Sequence, residues 1–158
     1  MEEEQSVLLV EQDEQTSSRL AGWLEDAGYD VLVCPGPSAP DYRCVASRRG
    51  SCPLVAPVDL VVLDLWLAGD AHMIGTSSGQ LLDHYIATGK PVIALSHDRH
   101  GQHLFTSEDV VTLEWPTERR ELVETVRVLL RRDMEPRPRA IARRVPHRTG
   151  SPSHRPPA

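Results

Sequence analysis

Four consecutive apolar residues, Leu-Val-Val-Leu, stand between Asp59 and Asp64. A strand solvated on one face alternates apolar and polar side chains, so a segment without alternation needs cover on both faces. Asp59–Leu63 is therefore predicted to be the central strand of a parallel sheet with helices on either side. The surrounding sequence supplies the remaining parts. Ser6–Val10, Asp30–Val33, Pro91–Leu95 and Val110–Leu113 are apolar runs of strand length. Between them, Leu20, Trp23, Leu24 and Ala27 fall on one helical face closed by Gly28, and Leu81, Leu82, Tyr85 and Ile86 form another closed by Gly89. Leu122, Val123, Val126, Leu129 and Leu130 mark a last helix. Strands alternating with helices predict an α/β protein: a three-layer, doubly wound, five-stranded parallel sheet. In such sheets the functional crevice lies at the carboxyl ends of the strands.

Charge divides the 158 residues into two pieces. Residues 134–158 carry six arginines against Glu135, a balance of +5, and six of the 13 prolines. Residues 1–133 carry −11 and contain nearly all of the apolar periodicity. The expected organisation is a folded domain over 1–133 and a disordered Arg/Pro-rich tail over 134–158. The tail can touch an acidic partner, or nucleic acid weakly. No apolar run reaches the roughly 20 residues of a membrane span. The start, Met-Glu-Glu-Glu, is acidic where a secretory signal is basic. The expected location is the cytoplasm, without membrane attachment. Of the 17 Lys and Arg residues only Lys90 is a lysine, so any chemistry that needs an amine must use that one.

At the predicted strand ends stand Glu11, Gln12 and Asp13, then Asp64, then Ser96, then Trp115-Pro116. An acid after strand one, an aspartate after strand three, a hydroxyl after strand four and an X-Pro after strand five resemble the receiver domain of two-component response regulators. "VLLVEQDE", "DLVVLDL", "PVIALS" and "WPTERRELVETVRVLL" carry the match over roughly residues 5–132. The resemblance implies a flavodoxin-like strand order, 2-1-3-4-5, and makes Asp64 the candidate phosphoacceptor for a histidine kinase. It implies a Mg2+ site at Glu11 and Asp64, switch residues at Ser96, Trp115 and Pro116, and a cis bond before Pro116. A carboxylate attacks phosphorus only if the charge developing on the phosphoryl oxygens is neutralised by a divalent cation and a fixed basic group.

The sequence departs from this pattern at two points. Gln12 replaces the second acid of the strand-one pair, and Asp13, one position on, is placed to cap the first helix. Trp115 stands where the family has lysine, and Lys90 precedes strand four at the opposite edge of the sheet. The magnesium site is thus expected to be weak, Trp115 is expected to close the old pocket by stacking over it, and phosphorylation of Asp64 is expected to be slow or absent. For Asp64 an inherited structural acid, and for Ser96 an ordinary strand-end hydroxyl, are the competing roles.

Cys34, Cys44 and Cys52, all the cysteines of the chain, lie between strands two and three in a segment with five prolines. The helix expected there is at least partly replaced by loop. Three states compete: thiols in a reducing compartment, a Zn2+ or iron–sulfur site with a fourth ligand such as His72 or His97, and a disulfide with one cysteine spare. His97, His100 and His103 follow strand four at intervals of three and are expected to belong to a polar surface loop. The polar stretch 97–109 leaves a fourth family helix short or missing. The expected function is a stand-alone, atypical receiver that signals by binding a protein, either a histidine kinase or another regulator, and not by catalysis; a homodimer is compatible. The alternative is a metal- or redox-sensing regulator built on the same scaffold and using Cys34, Cys44 and Cys52.

Overall fold

The computed structural model describes residues 4–36, 52–66, 77–97 and 110–134. Cys44, His72, His100, His103, residues 98–109 and the tail beyond Met134 lie outside the described residues. Expectations about the fourth helix and the tail fall on these residues, and of the insertion only its two ends are described, residues 53–57 being turns.

Five parallel strands form one sheet in the order 2-1-3-4-5. They are β1 (Ser6–Val10), β2 (Asp30–Cys34), β3 (Leu60–Asp64), β4 (Val92–Ser96) and β5 (Val110–Glu114). The helices among the described residues are α1 (Glu14–Glu25), α2 (Ser77–Ala87) and α3 (Arg119–Met134). Strand alternation divides the core in two. Val7, Leu9, Leu60, Val62, Ile93, Leu95 and Leu113 face Leu20 and Leu24 of α1 and Leu122, Val126, Leu129 and Leu130 of α3. Leu8, Val10, Val61, Leu63, Val92 and Ala94 face Leu81, Leu82 and Tyr85 of α2 on the other side. Every residue of β3 and β4 is buried, which is why those runs show no polar alternation.

Local details differ from the sequence expectation for identifiable reasons. The strands β2, β3, β4 and β5 each run one residue further than predicted, because the parallel ladder continues through Asp64↔Leu95 and Ser96↔Glu114. Asp64 and Ser96 are thus the last residues of strands, held by the sheet, and not the first residues of loops. Helix α1 ends at Glu25, before Ala27, and Gly28 adopts φ 94°, a left-handed conformation that suits glycine. Its buried face uses Ser17 and Ala21 in place of Ala27. Asp13 caps α1, its side chain accepting the Thr16 amide at 2.8 Å.

Lys90 sits at the amino edge of β4, away from the crevice, as its place in the sequence requires. Its Nζ donates to the carbonyls of Val55 (2.6 Å), Ala56 (2.9 Å) and Val58. One ammonium therefore satisfies three carbonyls of the turn leading into β3. The lysine serves the fold at this edge, and none stands at the other.

Candidate functional site

The carboxyl ends of β1, β3, β4 and β5 surround an open cleft of about 600 Å³ lined by Glu11, Gln12, Asp13, Thr16, Asp64, Trp66, His97 and Trp115. The topology explains its position. Strands β1 and β3 are adjacent while their following helices leave toward opposite faces, which parts the loops above them.

Asp64 forms the floor and is 4 % exposed. Its Oδ1 accepts the Trp66 backbone N–H at 2.7 Å, a turn that fixes the carboxylate plane. His97 Nε2 lies 2.9 Å from Oδ1 and 3.1 Å from Oδ2. The imidazole therefore bridges both oxygens. Burial lowers the His97 pKa below the ordinary histidine value, with the Glu11 charge opposing the shift. The contact with the two carboxylate oxygens is an Nε2–H donated to Asp64.

The ring is held by stacking. His97 and Trp115 are stacked with centroids 5.4 Å apart and planes at 26°, and Trp66 contacts the imidazole at 5.4 Å and 42°. Beyond Trp115, the Arg19 guanidinium lies 5.6 Å from the Trp115 ring centre and 5.7 Å from that of Trp23. Trp66, His97, Trp115, Arg19 and Trp23 thus make one ladder across the top of the sheet, from the end of β3 to the outer side of α1. Trp115 lines this cleft and stacks on His97. The Trp115 amide donates to the Ser96 carbonyl at 2.8 Å, and the Trp115–Pro116 bond is cis.

Glu11 is 5 % exposed. Its Oε1 accepts the Asp13 amide at 2.8 Å, whereas Oε2 is buried with no donor. Burial first, then the hydrogen bond and like charge of Asp64, raise the Glu11 pKa from 4.5 to about 8, although the Asp13 amide opposes the shift. Two carboxyl groups that share one site cannot both ionise cheaply. At neutral pH Glu11 keeps a proton.

The residues that the resemblance implies as magnesium ligands, Glu11 and Asp64, are brought together, but they do not suit the ion. Magnesium requires several oxygen donors in octahedral array. Here Glu11 Oε1 accepts the Asp13 amide, and both oxygens of Asp64 accept from the His97 ring. Gln12 and Asp13 line the cleft, Asp13 engaged as a helix cap. Ser96 is 3 % exposed at the end of β4. Cys34 and Cys52 are not joined by a disulfide and meet in one apolar cluster with Val10, Val55 and Leu65. Among the described residues no group of three His, Cys, Asp or Glu side chains is arranged to hold a metal ion.

Placing His97 in a polar surface loop was incorrect: it is half-buried at the centre of the site. Its neighbours His100 and His103 suggested a polar loop, but His97 follows Ser96 directly, so the sheet and not the loop sets its position. Trp66 was also missed. Its distance of two residues from Asp64 was the available clue.

This arrangement, a five-stranded 2-1-3-4-5 sheet with acids at the ends of its two central strands, is the flavodoxin-like fold of response regulator receiver domains. Among solved structures, the chain is similar to a response regulator receiver domain protein from Bacillus halodurans c-125, with 22% identity over 80% of this chain and 97% of that one and a TM-score of 0.59. It is also similar to a response regulator receiver protein from Sinorhizobium medicae WSM419 (20% identity, 82% and 96% covered, TM-score 0.61) and to the receiver domain of the hybrid histidine kinase CckA (21%, 79% and 98%, TM-score 0.54). No protein-family model and no curated protein matches the chain. No described helix is long and apolar enough to cross a membrane.

Proposed function

We propose that the chain is a receiver-type signalling module that works by binding a protein partner, a histidine kinase or another regulator, and is poorly competent for phosphorylation of Asp64. The observation that carries this reading is the bridge from His97 Nε2 to both oxygens of Asp64, at 2.9 and 3.1 Å. A carboxylate that accepts from a fixed imidazole and from the Trp66 amide is a weakened nucleophile. Trp115 supports the same conclusion, because an indole replaces the ammonium that would offset phosphoryl charge. The Asp64 carboxylate is thus engaged by hydrogen bonds on both oxygens, which disfavours it as the acceptor.

Incubating the full chain with acetyl phosphate and Mg2+ and measuring its intact mass tests this. The expected result is no hydroxylamine-sensitive phosphoryl group. Stoichiometric modification lost in Asp64→Asn overturns the proposal.

A second reading, a cysteine-based metal or redox sensor, is favoured by one observation: Cys34 and Cys52 converge in a single cluster. Stoichiometric zinc or iron in protein purified without oxygen, lost on Cys34→Ser, supports it. Metal-free protein with three titratable thiols excludes the metal form.

A further inference from the structure

The Asp64–His97 pair has a chemistry of its own. Nε2 is occupied as the donor to Asp64, so the other ring nitrogen, Nδ1, keeps the lone pair. Nδ1 makes no hydrogen bond among the described residues and is not among the buried unsatisfied atoms, and the side chain is 23 % exposed into the cleft. A carboxylate that orients an imidazole and balances the charge it gains is the arrangement that makes histidine an effective base or nucleophile. Stacking on Trp115 and contact with Trp66 fix the ring plane, so little orientational freedom remains to be lost on reaction.

We propose that His97 Nδ1 is the phosphoryl-accepting atom of this cleft, with Asp64 as its positioning residue. The inference rests on the reading of the chain as a receiver-type module that encounters phosphoryl donors. It deepens that reading by naming the acceptor and the donor class, a phosphoramidate such as the phosphohistidine of a partner. In the step, the Nδ1 lone pair forms the N–P bond as the donor's own P–N bond breaks. The departing amine takes a proton from water. His97 keeps its Nε2–H and becomes a phosphoimidazolium, whose positive charge the Asp64 carboxylate offsets. A neutral nucleophile approaches an anionic phosphoryl group without the charge repulsion a carboxylate meets, so the missing lysine and divalent cation matter less here than for Asp64.

The test treats the full chain with potassium phosphoramidate, with Mg2+ or with EDTA, and maps the modified residues over time. His147 and His154 serve as internal standards. The expected result is a phosphoryl group on His97, gained about tenfold faster than on the standards, equivalent to roughly 1.4 kcal/mol of barrier. The bond should survive hydroxylamine, be lost in acid, and form equally well in EDTA. Asp64→Asn still accepts the Nε2–H but cannot offset the charge, and it should slow His97 to the rate of the standards. Mapping the unaltered chain does not depend on a variant folding. Modification of His97 no faster than of His147 and His154 overturns this inference while leaving the proposed function intact. A magnesium-dependent, hydroxylamine-sensitive phosphoryl group on Asp64 overturns both.

Discussion

Glu11→Gln should make the protein more stable, and by an amount that depends on pH. The folded state raises the Glu11 pKa from 4.5 to about 8, chiefly because the carboxyl is buried beside Asp64. Below pH 4.5 both folded and unfolded chains hold the proton, and the group costs nothing. Between pH 4.5 and 8 the unfolded chain ionises while the folded chain does not, so the folded state binds more protons and stability falls as pH rises. At about 1.4 kcal/mol per pH unit, the loss reaches on the order of 3 kcal/mol at pH 7 and levels off above the folded pKa. Glutamine carries no proton to lose. Its Oε1 can keep the Asp13 amide, now at 2.8 Å, and its neutral amide takes the place of the buried carboxyl beside Asp64. Urea unfolding of both proteins at pH 5, 6, 7 and 8, followed by far-UV circular dichroism, measures the difference at each pH. The expected difference is small at pH 5, favours the glutamine variant by on the order of 3 kcal/mol at pH 7, and is larger at pH 8. A difference independent of pH, or a variant less stable at pH 8, would refute the reasoning that burial beside Asp64 keeps the Glu11 carboxyl protonated.

Other perturbations have equally definite outcomes. Lys90→Met leaves the carbonyls of Val55, Ala56 and Val58 without their donor and should lower stability by about 2–4 kcal/mol in urea unfolding, since each part-buried polar group left unpaired costs about 1–3 kcal/mol. Trp115→Lys alone should leave Asp64 unreactive toward acetyl phosphate with Mg2+, because His97 still bridges its oxygens; the triple change Trp115→Lys, His97→Ala and Gln12→Asp should gain a hydroxylamine-sensitive phosphoryl group by intact mass. Arg19→Ala removes the cation between Trp115 and Trp23 and should shift tryptophan fluorescence while leaving the far-UV spectrum unchanged. Cys34, 4 % exposed, should react with a thiol reagent only as fast as the domain unfolds.

The sheet was legible in the sequence because burial on both faces leaves an unambiguous mark: β3 and β4 contain no polar residue until their last position. The helical faces were legible for the same reason, by period. Asp64, Ser96 and Trp115-Pro116 could be located because they follow such runs at strand ends, and Lys90 could be excluded from the site because it precedes one. What escaped was the content of the site. Nothing in the local pattern shows that the first residue after β4 turns inward, because that depends on Trp115 arriving from β5 and Trp66 from β3 to receive the ring. Trp115 therefore reads in the sequence only as the loss of a lysine, and its role in supporting His97 comes from tertiary contact. The Glu11 proton was hidden likewise, since it arises from two carboxyls separated by 53 positions in the chain.

The tautomer of His97 tests the account most directly. Two-bond proton–nitrogen correlation spectra of protein labelled with 15N at histidine distinguish Nε2–H from Nδ1–H and from the rapidly exchanging mixture of a solvated ring. At pH 7 one histidine should appear as a fixed, neutral Nε2–H tautomer, vanish in His97→Gln, and shift in Asp64→Asn while the other six stay in place. A His97 ring that titrates as a free imidazole and does not respond to Asp64→Asn would contradict a site closed over its aspartate.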